Sequence, residues 1–178
     1  MTQTLAILSV FLLVSCGQVV SGSVNGSNKN DTAENKLVPF ELTVEDADYS
    51  MSQTFIYKIS ENEIEIFSRN DINIVGMRKG GNMDTVYKAD LEGNATLKKL
   101  SNINLDNLKD GYFNHCIMDG SQVTVTLNKD GKSKTVHLSN YYQSDIGLVI
   151  ELINTLTPKK YKIWYDKDIL LKGQKDCE

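Results

Sequence analysis

The sequence has little with which to run known catalytic chemistry. It contains only two histidines, His115 and His137, and one tryptophan, Trp164. No Gly-x-Ser-x-Gly elbow, His-Glu-x-x-His helix or phosphate-cradling glycine loop occurs. Asp71, Asp84, Asp90 and Asp106 lack the spacing of a calcium loop. The net charge is −4 with both signs mixed, and no clustered basic stretch offers a nucleic-acid footprint. No internal repeat is visible, which argues against a solenoid or propeller. No catalytic residue, metal site or cofactor is therefore expected. The first fifteen residues carry no charged side chain, not even the Lys or Arg that normally precedes an export signal. Leu5 to Val14 is apolar apart from Ser9. That is about 10 residues, too short to cross a roughly 30 Å hydrocarbon core as a helix, but suited to the apolar core of a secretory signal.

The apolar run ends at Leu13-Val14-Ser15-Cys16. These four residues resemble the lipobox of bacterial lipoproteins. The resemblance implies that residues 1–15 are a signal peptide. Cys16 would then take a diacylglycerol, and often a further acyl chain such as palmitate, on its freed amine. Two or more chains give stable anchoring where one does not, because each buried methylene contributes roughly 0.8 kcal/mol. Gly17, rather than Asp, follows the cysteine, which by the same resemblance points to the outer membrane and a periplasmic or surface location. The likeness covers only the export signal. Residues 16–37 are rich in Gly, Ser, Asn and Val. Such composition cannot bury enough surface to offset chain entropy, so a flexible tether is expected.

Residues 38–178 remain, roughly 140 residues and enough for a single ordinary domain. With Cys16 lipidated, Cys116 and Cys177 are left as a pair. In an exported chain this suggests a disulfide closing a loop of about 60 residues, worth roughly 4 kcal/mol in the loop-entropy model.

Alternating patterns predict several strands. Phe40 to Val44 follows Pro39. Thr54 to Ile59 and Glu63 to Phe67 flank Ser60-Glu61-Asn62 as a hairpin. Asp71 to Met77 and Thr85 to Leu91 read as further strands. Gly80-Gly81-Asn82 between them reads as a plain turn, with a binding loop as the alternative. Leu97, Leu100, Ile103, Leu105 and Leu108 fall at mixed spacing that defines no single element. Lys129-Asp130-Gly131-Lys132 is a type I′ turn signal. Counting outward from it sets Val125 opposite Val136, Val123 opposite Leu138, Thr126 opposite Thr135 and Thr124 opposite His137. Asp119-Gly120 suggests a second turn that would pair Tyr112 to Met118 with the strand from Ser121. That meander would set Cys116 opposite Val123 and His115 opposite Thr124. His115 and Cys116, as neighbours on a strand, would point to opposite faces, which argues against a Cys–His pair.

Asp145 to Leu156 has helical spacing in Ile146, Val149, Ile150 and Ile153. Ser144 would cap its start, and Pro158 forbids continuation. Tyr161 to Tyr165 alternates and predicts a last strand; beyond it Asp166 and Asp168, interleaved with Lys167 and Lys172, read as a solvated terminal strand, with cation contact near Asp176 as the alternative. The expected class is α+β: a mainly antiparallel sheet with one main helix, about 145–157, packed on it.

The candidate binding residues are His115, His137, Lys159, Lys160, Lys162 and Trp164. Two histidines beside Thr124 could begin a metal site, but a third ligand is missing from that row; surface histidines are the ordinary alternative. Glu41, Glu45, Asp46 and Asp48 form an acidic patch, and the three lysines a basic one. Solvated surface is the default for both and a docking surface the alternative. Tyr141, Tyr142, Tyr161, Trp164 and Tyr165 are either core or interface anchors. The functional expectation is a non-catalytic, membrane-anchored envelope protein that binds another protein, such as a toxin or an envelope component, as an inhibitor or immunity factor. An enzyme with an unrecognised site around His115, Thr124 and His137 is the alternative, and a structural envelope protein a third.

Overall fold

The computed structural model describes residues 37–47, 53–70, 73–74, 77–78, 82–117 and 119–177. Along the chain these form β1 (Phe40–Ala47), β2 (Gln53–Ile59), β3 (Glu63–Asn70), β4 (Asn73–Ile74), β5 (Met77–Arg78) and β6 (Met83–Asp90). Helix α1 (Ala95–Ser101) follows, then β7 (Gly111–Phe113), β8 (Gln122–Lys129) and β9 (Lys132–Ser139). Helix α2 (Ser144–Leu156), a 3-10 turn (Lys159–Tyr161) and helix α3 (Lys167–Lys175) complete the domain. Seven strands make one sheet in the order β6-β3-β2-β1-β8-β9-β7, and β4 and β5 pair separately. Within the seven-stranded sheet every pairing is antiparallel except β7 with β9, which is parallel. The α+β class holds, with the sheet dominant. The main helix expected over 145–157 is α2, the longest described helix, but α1 and α3 accompany it.

Alternation builds the core. Ile66, Tyr57, Val44, Val125 and Val136 stand in one cross-strand row over five strands. All five are 0 % exposed. Ile146, Val149, Ile150 and Ile153 of α2 and Leu97 and Leu100 of α1 join the same buried cluster. Each such side chain contributes roughly 1.5–3 kcal/mol by leaving water. The opposite face is largely polar. Thr126 and Thr135 meet there with their hydroxyls 3.0 Å apart, and Thr124 Oγ1 lies 3.0 Å from His137 Nδ1. The β8–β9 register is the one the turn predicts, and Asp130 (φ 53°) and Gly131 (φ 71°) supply its two left-handed positions.

Several expectations are corrected. β1 is eight residues long and central, paired with β2 and β8 on its two sides. Tyr112 to Met118 does not form a hairpin with β8. Only Gly111–Phe113 is a strand, and it runs parallel to β9. Its pairs, Gly111 with His137 and Phe113 with Ser139, leave Cys116 and His115 beyond the strand, opposite neither Val123 nor Thr124. The reason is the connection: Asn140 holds the segment after Ile117 against the end of β9. Its Oδ1 accepts from the Ser121 N–H at 2.9 Å, and its Nδ2 donates to the carbonyls of Ile117 and Asp119 at 3.4 and 3.3 Å.

Helix α2 begins one residue earlier than expected. Gln143, not Ser144, caps it, accepting from the Ile146 N–H at 2.8 Å. The expected terminal strand is α3, whose N-cap Asp166 accepts from the Ile169 N–H at 2.9 Å. Asp168 in its first turn and Lys172 and Lys175 in its last complement the helix dipole. Of the mixed-spacing leucines, Leu97 and Leu100 lie on α1, and Leu105 is buried in the loop beyond. Most of the strand expected over Asp71 to Met77 lies outside the described residues, as do Gly80 and Gly81.

Candidate functional site

The segment from Lys159 to Tyr165 is the best-defined surface feature. Its burial alternates as the sequence implies: Tyr161 is half-buried, Lys162 exposed, Ile163 buried, Trp164 exposed and Tyr165 half-buried. It is not a strand, however. The backbone of Ile163 is bonded to one side chain rather than to a neighbouring strand. Asn154 on α2 accepts from the Ile163 N–H at 2.8 Å and donates to the Ile163 carbonyl at 2.9 Å. One amide side chain thus imitates a ladder partner.

Tyrosines fix the rest of the segment. The Tyr57 hydroxyl donates to the Tyr161 carbonyl at 2.9 Å. The Tyr161 hydroxyl donates to the Val86 carbonyl at 3.0 Å, where β6 breaks register against β3. The Tyr161 ring packs edge-on to Phe55, 6.0 Å between centroids. The Tyr165 hydroxyl donates to the Tyr141 carbonyl and accepts from the Gln143 N–H, both at 2.9 Å. Burial pushes the Tyr57 and Tyr165 phenols above their ordinary range, the Asp46 charge adding to the effect at Tyr57. The expected aromatic cluster is therefore divided. Tyr141, Tyr142, Tyr161 and Tyr165 hold the scaffold, and Trp164 alone is half exposed, at 50 %.

Trp164 lines a cavity of about 290 Å³ with Asp46, Ala47, Gln53, Phe55, Gly120 and Ser121. Sequence reasoning named none of these others as a partner of Trp164. They come from three separate stretches that meet only through the pairing of β1 with β2 and β8, and no local signal marks them. Gly120 is required there: a Cβ would collide with Asn140 Oδ1, and its φ is 142°. Lys159, Lys160 and Lys162 are exposed on the same segment as Trp164. Lys160 Nζ sits 4.6 Å from the Tyr161 ring centroid.

The other sequence candidates fall elsewhere. Cys116 and Cys177 are joined as a disulfide, Cα atoms 5.6 Å apart and 61 residues apart in sequence. Asn114 Oδ1 shapes the approach, accepting from the Cys116 N–H at 3.1 Å. His115 is exposed and stacks on Phe113, with centroids 6.3 Å apart. His137 lies on the polar sheet face against Thr124. The histidines do not share Thr124, and among the described residues no group of three or more His, Cys, Asp or Glu is placed to hold a metal. The acidic patch is dispersed. Glu45 faces Arg69 at 3.5 Å on the polar face, Asp46 lines the Trp164 cavity, and Asp48 lies outside the described residues. So does Cys16. Comparison with protein-family models, curated proteins and solved structures finds no match to this chain.

Proposed function

We propose that the chain is a lipid-anchored lipoprotein of the bacterial envelope, held through Cys16, whose domain is a non-catalytic binding module for another protein. The Leu13-Val14-Ser15-Cys16 sequence supports the anchor, and the composition of residues 16–37 supports a spacer behind it. By the identity of Gly17 the location is the outer membrane. The observation that carries the binding reading is the presentation of Trp164. A large apolar side chain stands half exposed on a segment whose backbone is fixed by Asn154, Tyr57 and Tyr165. A tryptophan held this way loses little conformational freedom on binding, and tryptophan is enriched among the residues that dominate interface energy. Lys160 and Lys162 are exposed on the same segment and would supply the charged rim usual around such an anchor. An inhibitor or immunity factor against a secreted toxin is the form of partner binding that fits a small anchored domain.

Two experiments test the two halves. Radiolabelled palmitate should enter the parent protein in cells and not the Cys16→Ser variant; equal labelling of both refutes the anchor. A photo-reactive residue at position 164 should capture one protein in living cells, and the same residue at position 41 on the polar sheet face should not. Against the captured protein once purified, Trp164→Ala should weaken binding by roughly 30-fold or more. Unchanged affinity would refute Trp164 as the anchor.

A further inference from the structure

The hollow beside Trp164 combines aromatic walls with one carboxylate. Asp46 is the only charged residue among the described residues that line it. Asp46 stands directly opposite Phe55 in the β1–β2 register, which sets the carboxylate and the ring side by side on one face, about 5 Å apart at Cβ. The charge acts on that face, since it helps to raise the Tyr57 phenol. Lys160 and Lys162 are exposed on the segment that carries Trp164 but do not line the hollow. Glu45 and Arg69 meet on the opposite face of the sheet. The rings differ in their company. Phe55 is held edge-on by Tyr161, 6.0 Å between centroids. Trp164 stacks on no other described ring. The lysines near it in sequence lie over other rings, Lys160 over Tyr161 at 4.6 Å and Lys167 over Tyr142 at 5.9 Å. Among the described residues no cation covers Trp164, although an indole attracts cations better than any other side-chain ring.

Building on the reading of Trp164 as the anchor for a partner protein, we infer that the hollow receives an arginine side chain of that partner. Its guanidinium lies against the Trp164 indole and pairs with the Asp46 carboxylate, and its methylene stem runs along Phe55 and Ala47. The volume of about 290 Å³ falls at the lower limit of sites that enclose a whole small molecule and suits one long side chain. An apolar side chain in the same place would strip water from Asp46 without itself supplying a compensating charge. A guanidinium supplies that charge. It is planar and weakly hydrated, stacks on aromatic faces and offers a fork of donors to a carboxylate. A lysine ammonium is a compact, strongly hydrated point charge and gives up more on entering. A sugar needs several polar groups, and of those here the Gln53 amide already donates to Ser68 Oγ at 3.4 Å. Arginine and tryptophan are also the residue types that most often dominate interface energy, and such residues tend to pair across an interface.

Trp164 is the sole tryptophan of the chain, so its fluorescence reports on the hollow directly. The test titrates the full chain, purified from cells in a neutral detergent, at constant ionic strength. The probes are N-acetyl-arginine amide, the citrulline analogue of the same shape without charge, and the lysine analogue. Arginine should give a saturable change with Kd on the order of 1–10 mM. Citrulline should bind at least about tenfold more weakly, with lysine between them. Backbone amide shifts of Gly120 and Ser121 should follow the arginine titration. Asp46→Asn should abolish the preference for arginine over citrulline while the shifts of Val125 and Val136 show the sheet intact. Equal response to arginine and citrulline in the parent chain would overturn the proposal, whatever the variant does. So would an undiminished arginine preference in folded Asp46→Asn, and lysine binding as tightly as arginine would refute the guanidinium. None of these readings needs the partner. Capture of a protein at position 164 without arginine selectivity would refute the arginine occupant alone. Arginine selectivity without any captured protein would refute the partner as its source.

Discussion

The β8–β9 turn end and the disulfide end of the sheet are closed by different kinds of bond. At the β8–β9 end the hairpin turns are closed by local bonds, and the longer links there are side-chain bonds of two surface lysines, Lys129 to the Ser101 carbonyl and Lys134 to Asp110. The β8–β9 turn is closed by adjacent residues, Asp130 and Gly131, and the β2–β3 turn by the Ser60 N–H to the Glu63 carbonyl at 3.0 Å. At the other end the bonds reach across the chain. The Cys116–Cys177 bridge spans 61 residues. The Tyr142 N–H donates to Gln174 Oε1 across 32 residues, and the Tyr165 hydroxyl reaches the Tyr141 carbonyl across 24. Local turns close at small entropic cost, whereas long loops gain most from a covalent link. The difference teaches that the end presenting Trp164 is closed by a covalent link across 61 residues, while the β8–β9 end is closed by turn chemistry.

The largest expected effect follows from the bridge. Replacing Cys116 and Cys177 together by serine should destabilise the domain by about 4 kcal/mol, lowering the melting temperature by roughly 10 °C or more. Amide hydrogen exchange gives the sharper measurement. Amides of α3 and of residues 114–117 should lose protection in the variant before those of β8 and β9 do. Uniform loss along the chain would break the contrast between the ends.

Next comes Asn154→Ala. It removes the two bonds that stand in for a strand partner and leaves the Ile163 N–H and carbonyl unpaired. Two lost bonds of about 1 kcal/mol each, plus incomplete resolvation of a buried backbone, predict about 2–3 kcal/mol. Limited proteolysis should then cut within residues 159–165 first. Resistance equal to the parent would mean that Tyr57 and Tyr165 alone hold the segment.

The same contrast explains what could be read from the sequence. The β8–β9 hairpin was legible residue by residue because the turn and the apolar alternation are local and agree. The β2–β3 hairpin and α2 were legible for the same reason, and the cysteine pair from its even count once Cys16 is set aside. The parallel pairing of β7 was not, because Asp119-Gly120 is a plausible hairpin signal and only Asn140, about twenty residues away, decides otherwise. The alternation of Tyr161 to Tyr165 gave the correct inside and outside but the wrong element, since period 2 marks an extended chain and not its bonding partner. Trp164 and the three lysines were visible as types. The cavity beside Trp164 was not, because β1, β2 and β8 bring its walls together by long-range pairing.

A pH dependence tests the tyrosine bonds of the Trp164 segment. The Tyr57 and Tyr165 phenols are raised above their ordinary value near 10, mainly by burial. In the unfolded chain they ionise near pH 10; in the folded protein they stay protonated beyond it. Above pH 10 the folded state therefore binds more protons, and stability falls as pH rises. Below pH 10 the contribution is fully present. Each tyrosine adds a slope approaching about 1.4 kcal/mol per pH unit. Urea midpoints at pH 9 and pH 11 should show the drop, and Tyr57→Phe should lessen it. A flat profile would show that both phenols reach water.

The smallest effect belongs to the β8–β9 turn. Gly131 has φ 71°, and a Cβ added there would meet nothing within 4 Å, so Gly131→Ala introduces no clash and tests backbone conformation alone. A left-handed alanine costs about 1 kcal/mol. The turn already tolerates Asp130 at φ 53°, so the strands should keep their register and only the midpoint should move. Chemical shifts of Val125 and Val136 should therefore match the parent, with no change in the protection of α3. If this substitution instead loosened α3 or the Trp164 segment, the two ends would be coupled through β9, and the division between local and long-range ends would fail.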